Sequence, residues 1–196
     1  MQSLNTKPLL VDVSRVNLHS ISHTDFETIC EDNPDLRLEL SANGELLTMA
    51  PAGYESSEKN ADLTIELGIW NRIKKQGRVF DSSGGFTLPN GAIKSPDATW
   101  IEKSKLANIA PGVKFPLVVP DFVIELRSQS DSLSKTREKM EEYRSNGVKL
   151  GWLINPQKKQ VEIYRPGQDI EILQSPSNLS GEDVLVDFIL DLGLIW

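Results

Sequence analysis

The chain has 196 residues, of which 39% are hydrophobic and 25% are charged, as in one globular domain with a sizeable core and unlike a disordered chain. It contains neither an apolar run near the ~20 residues that cross a bilayer nor the pattern of a signal peptide, so we expect a cytoplasmic protein without a membrane segment. The net charge of −7 excludes an overall basic field for nucleic acid, and the single cysteine, Cys30, excludes an internal disulfide.

Residues 1–21 are mixed in composition and predict a lead-in along the surface. The segment "HTDFETICEDNPDLR" then predicts a short helix that is capped at Thr24 and ends before Pro34. On either side of Asn43-Gly44, "LRLEL" and "ELLTM" alternate between apolar and polar residues. This pattern predicts a β-hairpin.

A long helix is predicted over 55–76, where Leu63, Leu67 and Trp70 recur at helical spacing and Gly77 follows as a stop. Three isoleucines are expected to widen its buried stripe: Ile65, Ile69 and Ile73.

The second half of the chain alternates strands with one helix. Short strands separated by glycine turns end with a strand over 98–101, and "DFVIEL" predicts a strand in the middle of a sheet. The segment "SDSLSKTREKMEEYRSNG" predicts a helix with Ser130 or Asp131 as its cap and Gly147 beyond its end. "KLGWLINP" and "VEIYRP" predict two further strands joined by a turn.

This order of elements predicts an α/β fold, a three-layer domain in which helices flank a mixed central β-sheet with added β-hairpins. The strand–helix–strand unit over 121–155 is the predicted parallel crossover. We expect a single domain over 22–196, because no linker, repeat or low-complexity segment interrupts it.

Four charged residues lie where a buried sheet is predicted. Asp97 in "SPDATW" and Asp121 in "VPDFVIELRSQSD" follow prolines at strand entries, and Glu125 and Arg127 come later in the second segment. A carboxylate is costly to bury unless it is paired, hydrogen-bonded or bound to a metal. Along a strand, Asp121 lies roughly 13 Å from Glu125, too far to share one Mg²⁺, whereas Glu125 and Arg127 are ~6.6 Å apart. Asp97 could face Glu125 if their strands pair at a spacing of ~4.8 Å.

Two carboxylates beside a cation are what metal-assisted hydrolysis of a phosphodiester requires. From the residues alone a simpler interpretation is favoured. Pro-Asp pairs commonly begin turns, and Glu125 with Arg127 could be a structural ion pair.

Several separated motifs agree, in order, with one known family. The segments "LELSANGELLTMAP", "FDSSGGFTLPNGAIKSPDATWI", "PDFVIELRSQSDSLSKTREKMEEYRSNGVKLGWLINP" and "VEIYRPGQ" resemble the Uma2 (DUF820) family of endonucleases, over roughly residues 22–196. The resemblance implies a restriction-endonuclease-like fold of the PD-(D/E)xK nuclease superfamily. It also implies a divalent-metal-dependent endonuclease that uses Mg²⁺ or Mn²⁺ and acts on nucleic acid, with DNA as the first expectation.

By this resemblance, the superfamily's Pro-Asp acid falls on Asp97 and the acid of its Glu-x-Lys motif falls on Glu125, so these two would hold the metal. Arg127 stands in the place of the lysine, and arginine stays protonated and cannot help to deprotonate water. Members of the family often supply the lysine from the following helix, where Lys139 flanks the inward face. Lys139 or Arg127 would then be the catalytic cation, although Lys139 could also be a solvated surface lysine.

Other roles stay open at this point. Glu55 or Glu58 could be the acid that the superfamily places in the first helix of the domain, or could only complement the helix dipole, which we favour. Asp121 is expected to accept backbone hydrogen bonds, with a supporting role beside the site as the alternative. The rival functions are an inactive member of the fold that acts as a binding or assembly module, and a hydrolase of small phosphoesters. A homodimer is also expected, because cutting a duplex needs two sites and "DFILDLGLIW" offers apolar surface.

Overall fold

The computed structural model describes residues 11–13, 15–16, 21–49 and 51–196, so the predicted lead-in lies largely outside the described residues. The described helices are α1 (His23–Asp32), α2 (Tyr54–Lys74), α3 (Lys103–Leu106) and α4 (Leu133–Ser145). The strands are β1 (Arg37–Leu40), β2 (Leu46–Met49), β3 (Gly77–Asp81), β4 (Phe86–Thr87), β5 (Ile93–Lys94), β6 (Ala98–Glu102), β7 (Phe122–Leu126), β8 (Leu150–Asn155), β9 (Gln160–Tyr164), β10 (Glu171–Gln174), β11 (Asn178–Ser180) and β12 (Ile189–Asp191). None of these helices is both long enough and apolar enough to span a membrane.

A six-stranded sheet forms the centre, in the order β10-β9-β8-β7-β6-β3. Its central strands β7 and β8 are parallel and are joined through α4, as the sequence predicts, and the other neighbouring pairs are antiparallel. A smaller sheet has the order β2-β1-β5-β4 and contains the predicted hairpin, and β11 pairs with β12.

Helices cover both faces of the central sheet, which confirms the three-layer α/β fold. On one face α2 packs Leu63, Leu67 and Trp70 into a core that includes Phe122, Ile124 and Trp152 of the sheet. On the other face, Met140 and Tyr143 of α4 pack against Val123 of β7 and Leu153 of β8. The central strands are buried on both faces, which is why "DFVIEL" and "KLGWLINP" are almost continuously apolar.

Three predicted helix ends are wrong by one or two residues. Helix α1 begins at His23 because Ser22, rather than Thr24, is its N-cap and forms a reciprocal capping box with Asp25. Helix α2 ends at Lys74 with Lys75 in the left-handed region at φ 58°, whereas Gly77 already belongs to β3. Helix α4 follows Ser132 and not Ser130 or Asp131.

The burial of two apolar segments also differs from the prediction. Ile65, Ile69 and Ile73 do not widen the core stripe of α2, since their exposed fractions are 53%, 49% and 73%. The C-terminal segment was expected to offer apolar surface, yet most of its large apolar side chains belong to the core: Phe188, Leu190, Leu192 and Ile195.

Candidate active site

The entry to β6 lies beside the end of β7. These strands are antiparallel and pair Trp100 with Phe122 and Ala98 with Ile124, so the next step of the register places Asp97 opposite Glu125. The backbone amide of Leu126 donates to Asp97 Oδ2 at 2.8 Å, which fixes this carboxylate against β7. The two acids from separate segments are therefore brought together by strand pairing.

Lys139 extends from α4 to the same place. Its Nζ atom lies 2.8 Å from Glu125 Oε1 and donates to the backbone carbonyl of Ser95 at 3.1 Å. Only 15% of its side chain is exposed. Ser95 lies two residues before Asp97, so Lys139 joins the end of β7 to the segment that carries the second acid.

Glu39 is a third acid in this cluster, and the sequence analysis did not identify it. It lies in β1, is buried, and its Oε1 atom is 2.9 Å from Lys139 Nζ and accepts the amide of Ser95 at 2.9 Å. On its other side, Lys94 lies 3.7 Å from Glu39 Oε2 and 3.2 Å from Glu142 Oε2. A glutamate between two leucines in "LEL" was the available signal, since burying an acid in an apolar strand is costly.

Two neutral side chains hold the acids from the flanking helices. The hydroxyl of Tyr143, one turn after Lys139 in α4, donates to Glu125 Oε1 at 3.0 Å. Burial and the nearby carboxylate raise the pKa of Tyr143, so its phenol remains a donor. From α2, the amide of Asn60 donates to Asp97 Oδ1 at 3.4 Å.

Burial and mutual interaction shift the pKa values of the four charged groups in the cluster in different directions. Burial, with repulsion from Asp97 and Glu39, raises the pKa of Glu125 to about 8 despite the attraction of Lys139. Burial likewise raises the pKa of Asp97. Burial would also raise the pKa of Glu39, but Lys139 and Lys94 outweigh it and lower that pKa. Burial disfavours the ammonium of Lys139, yet the three carboxylates overcome this and raise its pKa. The cluster without a metal ion therefore disfavours the ionised forms of Glu125 and Asp97, which tend to hold their protons.

Arg127 does not join this cluster. Its guanidinium donates to Gln157 Oε1 and to the backbone carbonyl of Asp131, each at 3.1 Å, and to Asn155 Oδ1 at 3.4 Å. Strand β7 ends at Leu126, so the strand spacing that predicted Arg127 close to Glu125 does not extend to Arg127. The cation that reaches Glu125 is Lys139.

The remaining predicted acids lie away from Lys139. Asp121 is fully buried, accepts the amide of Glu102 at 2.9 Å and pairs with Lys105 and Lys149, at 2.8 and 2.9 Å. Burial would raise the pKa of Asp121, but these partners lower it. Its predicted role as a backbone acceptor is confirmed. Glu55 and Glu58 are exposed in the first turns of α2.

A groove of about 1110 Å³ leads to Asp97. One wall is α2, which contributes Asn60, Ala61 and Thr64, and the other is the β1–β2 hairpin with Arg37 and Thr48. The groove therefore opens the cluster to solvent from the side of Asp97. Asp35 and Asp81 also line the groove, so its acids outnumber its one lining arginine.

Comparison with known proteins identifies the family. The family model Uma2, described as "Putative restriction endonuclease", matches residues 23–193. The chain belongs to the Uma2 family. Among solved structures, it is similar to a "putative nuclease belonging to DUF820 from Anabaena variabilis ATCC 29413", with a TM-score of 0.71 and 20% identity over 81% of this chain and 88% of that one. This likeness confirms the fold.

A structure entitled "cryoEM structure DrdV-DNA complex" aligns with a TM-score of 0.33 and 11% identity, over 62% of this chain and 12% of that chain. No curated protein matches the chain.

Restriction-endonuclease-like nucleases generally use a divalent metal ion. Over the described ranges, no group of three or more His, Cys, Asp or Glu side chains is arranged to hold a metal. Mg²⁺, however, is commonly held by one or two carboxylates and keeps several waters. Asp97 and Glu125 fit this requirement. Their raised pKa values are the expected mark of buried acids that a cation would stabilise.

Proposed function

We propose that the chain is a divalent-metal-dependent endonuclease that hydrolyses phosphodiester bonds of nucleic acid, with DNA as the first substrate to test. The observation that carries this proposal is the position of Lys139, which contacts Glu125 and Ser95 where Asp97 lies across the strand pair. Membership of a family described as restriction endonucleases supports it.

In this proposal, Asp97 and Glu125 would hold Mg²⁺ or Mn²⁺. A bound ion of this kind polarises the phosphate and lowers the pKa of its bound water. The surrounding residues position the two acids: the amide of Leu126 holds Asp97, and the hydroxyl of Tyr143 holds Glu125. These contacts come from rigid elements, so the acids are held in place before substrate arrives.

Lys139 is the proposed cation, and Arg127 is not, because the guanidinium of Arg127 is engaged with Gln157 and Asp131. The raised pKa of Lys139 keeps its ammonium protonated near neutral pH. We therefore assign to Lys139 the stabilisation of negative charge on the phosphate oxygens, and not the removal of a proton from water. Glu39 also contacts this ammonium, at 2.9 Å, and is a positioning residue.

The test is cleavage of supercoiled plasmid, single-stranded DNA and RNA with Mg²⁺, with Mn²⁺ and with EDTA. Asp97→Asn, Glu125→Gln and Lys139→Met should each lower the metal-dependent rate by at least about 100-fold. Lys135→Met is the matched control, because Lys135 lies one turn earlier in α4 and is exposed. It should cleave at the wild-type rate.

Calorimetric titration with Mn²⁺ separates binding from catalysis. Wild type should bind the ion, and Asp97→Asn should bind it at least about tenfold more weakly. Cleavage that survives in all three site variants would refute the assignment. Mn²⁺ binding without cleavage of any nucleic acid would point instead to an inactive member of the fold.

A hydrolase of small phosphoesters is a second candidate, and the acidic groove favours it. Asp35 and Asp81 flank the approach to Asp97, and the chain carries a net charge of −7, both of which repel a polyanion. A panel of phosphate monoesters, small diesters and nucleotides, assayed beside plasmid and RNA, distinguishes the two. Turnover of the small substrates alone would select this second function.

A further inference from the structure

A second cavity, of about 520 Å³, adjoins the turn between β3 and β4. Residues of this turn, of α3 and of the loop that follows α3 line the cavity, and none of them lines the groove that leads to Asp97. The chain passes from one site to the other within the turn, since Ser82 lines the groove and Ser83 lines the cavity. The cavity is therefore separate from the candidate active site, and its volume suits a small molecule.

Apolar side chains form much of the cavity wall, and two of its aromatic rings are held by other rings. Phe80 packs edge-on against Phe86, with ring centroids 5.2 Å apart, and Phe115 lies 5.2 Å from Phe26. A Cβ atom at Gly85 would lie 2.7 Å from a ring carbon of Phe115, so this ring needs a glycine beside it. The wall is therefore formed before a ligand arrives. Its apolar members are Phe80, Phe86, Leu106, Ile109, Val113, Phe115 and Pro116.

The charged residues that line the cavity are all basic. They are Arg78, Lys103 and Lys114, and all three are exposed, which places them at its opening. Lys114 pairs with Glu31, whereas Arg78 and Lys103 form no ion pair within the part of the chain that the structure describes. The chain has 28 acids and 21 bases, so a lining without an acid has the opposite sign to the protein as a whole.

We propose that this cavity binds a small apolar anion, namely an aromatic or aliphatic carboxylate. The apolar body would contact the phenylalanine wall, and the carboxylate would pair with Arg78 and Lys103. This combination follows from charge complementarity, because unpaired cations beside an apolar wall match a ligand that has one anionic group on an apolar body. The proposal does not depend on the proposed function.

A nucleic-acid strand is the other anion that these bases could attract. Strands without sequence preference bind by stacking successive bases on accessible aromatic side chains. Phe86 is only 3% exposed, and Phe80 and Phe115 are partly buried, so the rings line the cavity instead of forming an open platform. The arrangement favours the small molecule.

Fluorescence titration with 8-anilinonaphthalene-1-sulfonate tests the cavity, with EDTA present throughout. Wild type should bind this probe at one site, and decanoate should displace it. Arg78→Met and Lys103→Met should each weaken its binding by about fivefold or more. N-phenyl-1-naphthylamine has the same rings without the sulfonate, so its binding should change by less than about twofold in these variants. Lys135→Met is the control, because Lys135 is exposed in α4 and lies outside the cavity.

A cavity-filling variant shows where the probes bind. Val113 lines the cavity and is 48% exposed, so Val113→Trp should fold, as circular dichroism can show, and should weaken both probes by about tenfold or more. Binding of the sulfonate that Val113→Trp leaves unchanged would overturn the proposal, as would binding that both Arg78→Met and Lys103→Met leave unchanged. Failure of decanoate to displace the probe would also overturn it. A short oligothymidylate that displaces the probe more strongly than decanoate would replace the small anion with a nucleic-acid strand.

Discussion

Glu39 and Glu125 share one ammonium, since Lys139 Nζ lies 2.9 Å from Oε1 of the first and 2.8 Å from Oε1 of the second. The two glutamates belong to different sheets, the small sheet through β1 and the central sheet through β7. Lys139 therefore joins the two sheets electrostatically as well as standing beside Asp97. The stability of this region and its proposed chemistry depend on the same side chain.

Replacing Lys139 with methionine should destabilise the protein by about 3–5 kcal/mol near neutral pH, because it leaves the buried carboxylate of Glu39 without its nearest cation and removes the hydrogen-bond donor to Glu125. Urea unfolding measures the change. Lys135→Met, in the same helix but exposed, should change the unfolding free energy by less than about 0.5 kcal/mol. Equal effects of the two substitutions would show that the buried ammonium has no special role.

Glu125 should make the metal-free protein less stable as pH rises from about 4.5 to about 8. Its pKa in the folded chain is about 8 and its ordinary value is 4.5, so in this range the folded state binds more protons than the unfolded state. The raised pKa of Asp97 acts in the same direction. Urea unfolding in EDTA across this range should show a loss of about 2–4 kcal/mol.

Glu125→Gln should flatten that pH dependence and stabilise the metal-free protein at pH 8. Lys139 keeps Glu39 as its partner in this variant, so the ammonium is not left unpaired. Glu138→Gln, at an exposed position of α4, should retain the wild-type slope. A slope that is unchanged in Glu125→Gln would mean that another group titrates.

Glu39→Gln should destabilise the protein by about 1–3 kcal/mol, less than Lys139→Met, because Lys139 keeps Glu125 and Lys94 keeps Glu142. The substitution should also lower the pKa of Glu125, because the repulsion from the Glu39 carboxylate is removed and Lys139 no longer pairs with a second glutamate. The pH range over which stability falls should move downward. Glu45→Gln, exposed in the same hairpin, should leave both quantities unchanged. A pH range that stays at wild-type values would contradict the shared ammonium.

Much of the fold could be predicted because local patterns and tertiary burial agree. The Asn43-Gly44 turn specified its hairpin, and the apolar runs at 122–126 and 150–155 identified the central strands. Helix ends were less predictable, because a capping box at Ser22 and a left-handed Lys75 compete with equally plausible neighbours. The exposed Ile65, Ile69 and Ile73 show that apolar residues at helical spacing need not face the chain's own core.

The site was only partly predictable for a physical reason. Asp97 and Glu125 could be selected as acids at or within apolar strands. Whether they lie opposite each other depends on the β6–β7 register, which contacts distant in the sequence determine. Glu39 satisfied the same criterion, but its hairpin belongs to the small sheet, and only tertiary packing brings it to Lys139. The prediction for Arg127 assumed that strand spacing continues beyond Leu126, where the strand ends.

Arg127→Ala distinguishes the two cations that the sequence offered. The guanidinium of Arg127 is bound by Asn155, Gln157 and the carbonyl of Asp131, so its loss should loosen the segment after β7 and cost about 0.5–1.5 kcal/mol. It should not change the pH dependence that Glu125 causes, because no contact joins Arg127 to Glu125 among the described residues. Metal-dependent cleavage should stay within about threefold of wild type, whereas Lys139→Met should abolish it. If Arg127→Ala abolishes cleavage in a folded protein while Lys139→Met does not, the catalytic cation is Arg127, and substrate must draw its side chain away from Gln157.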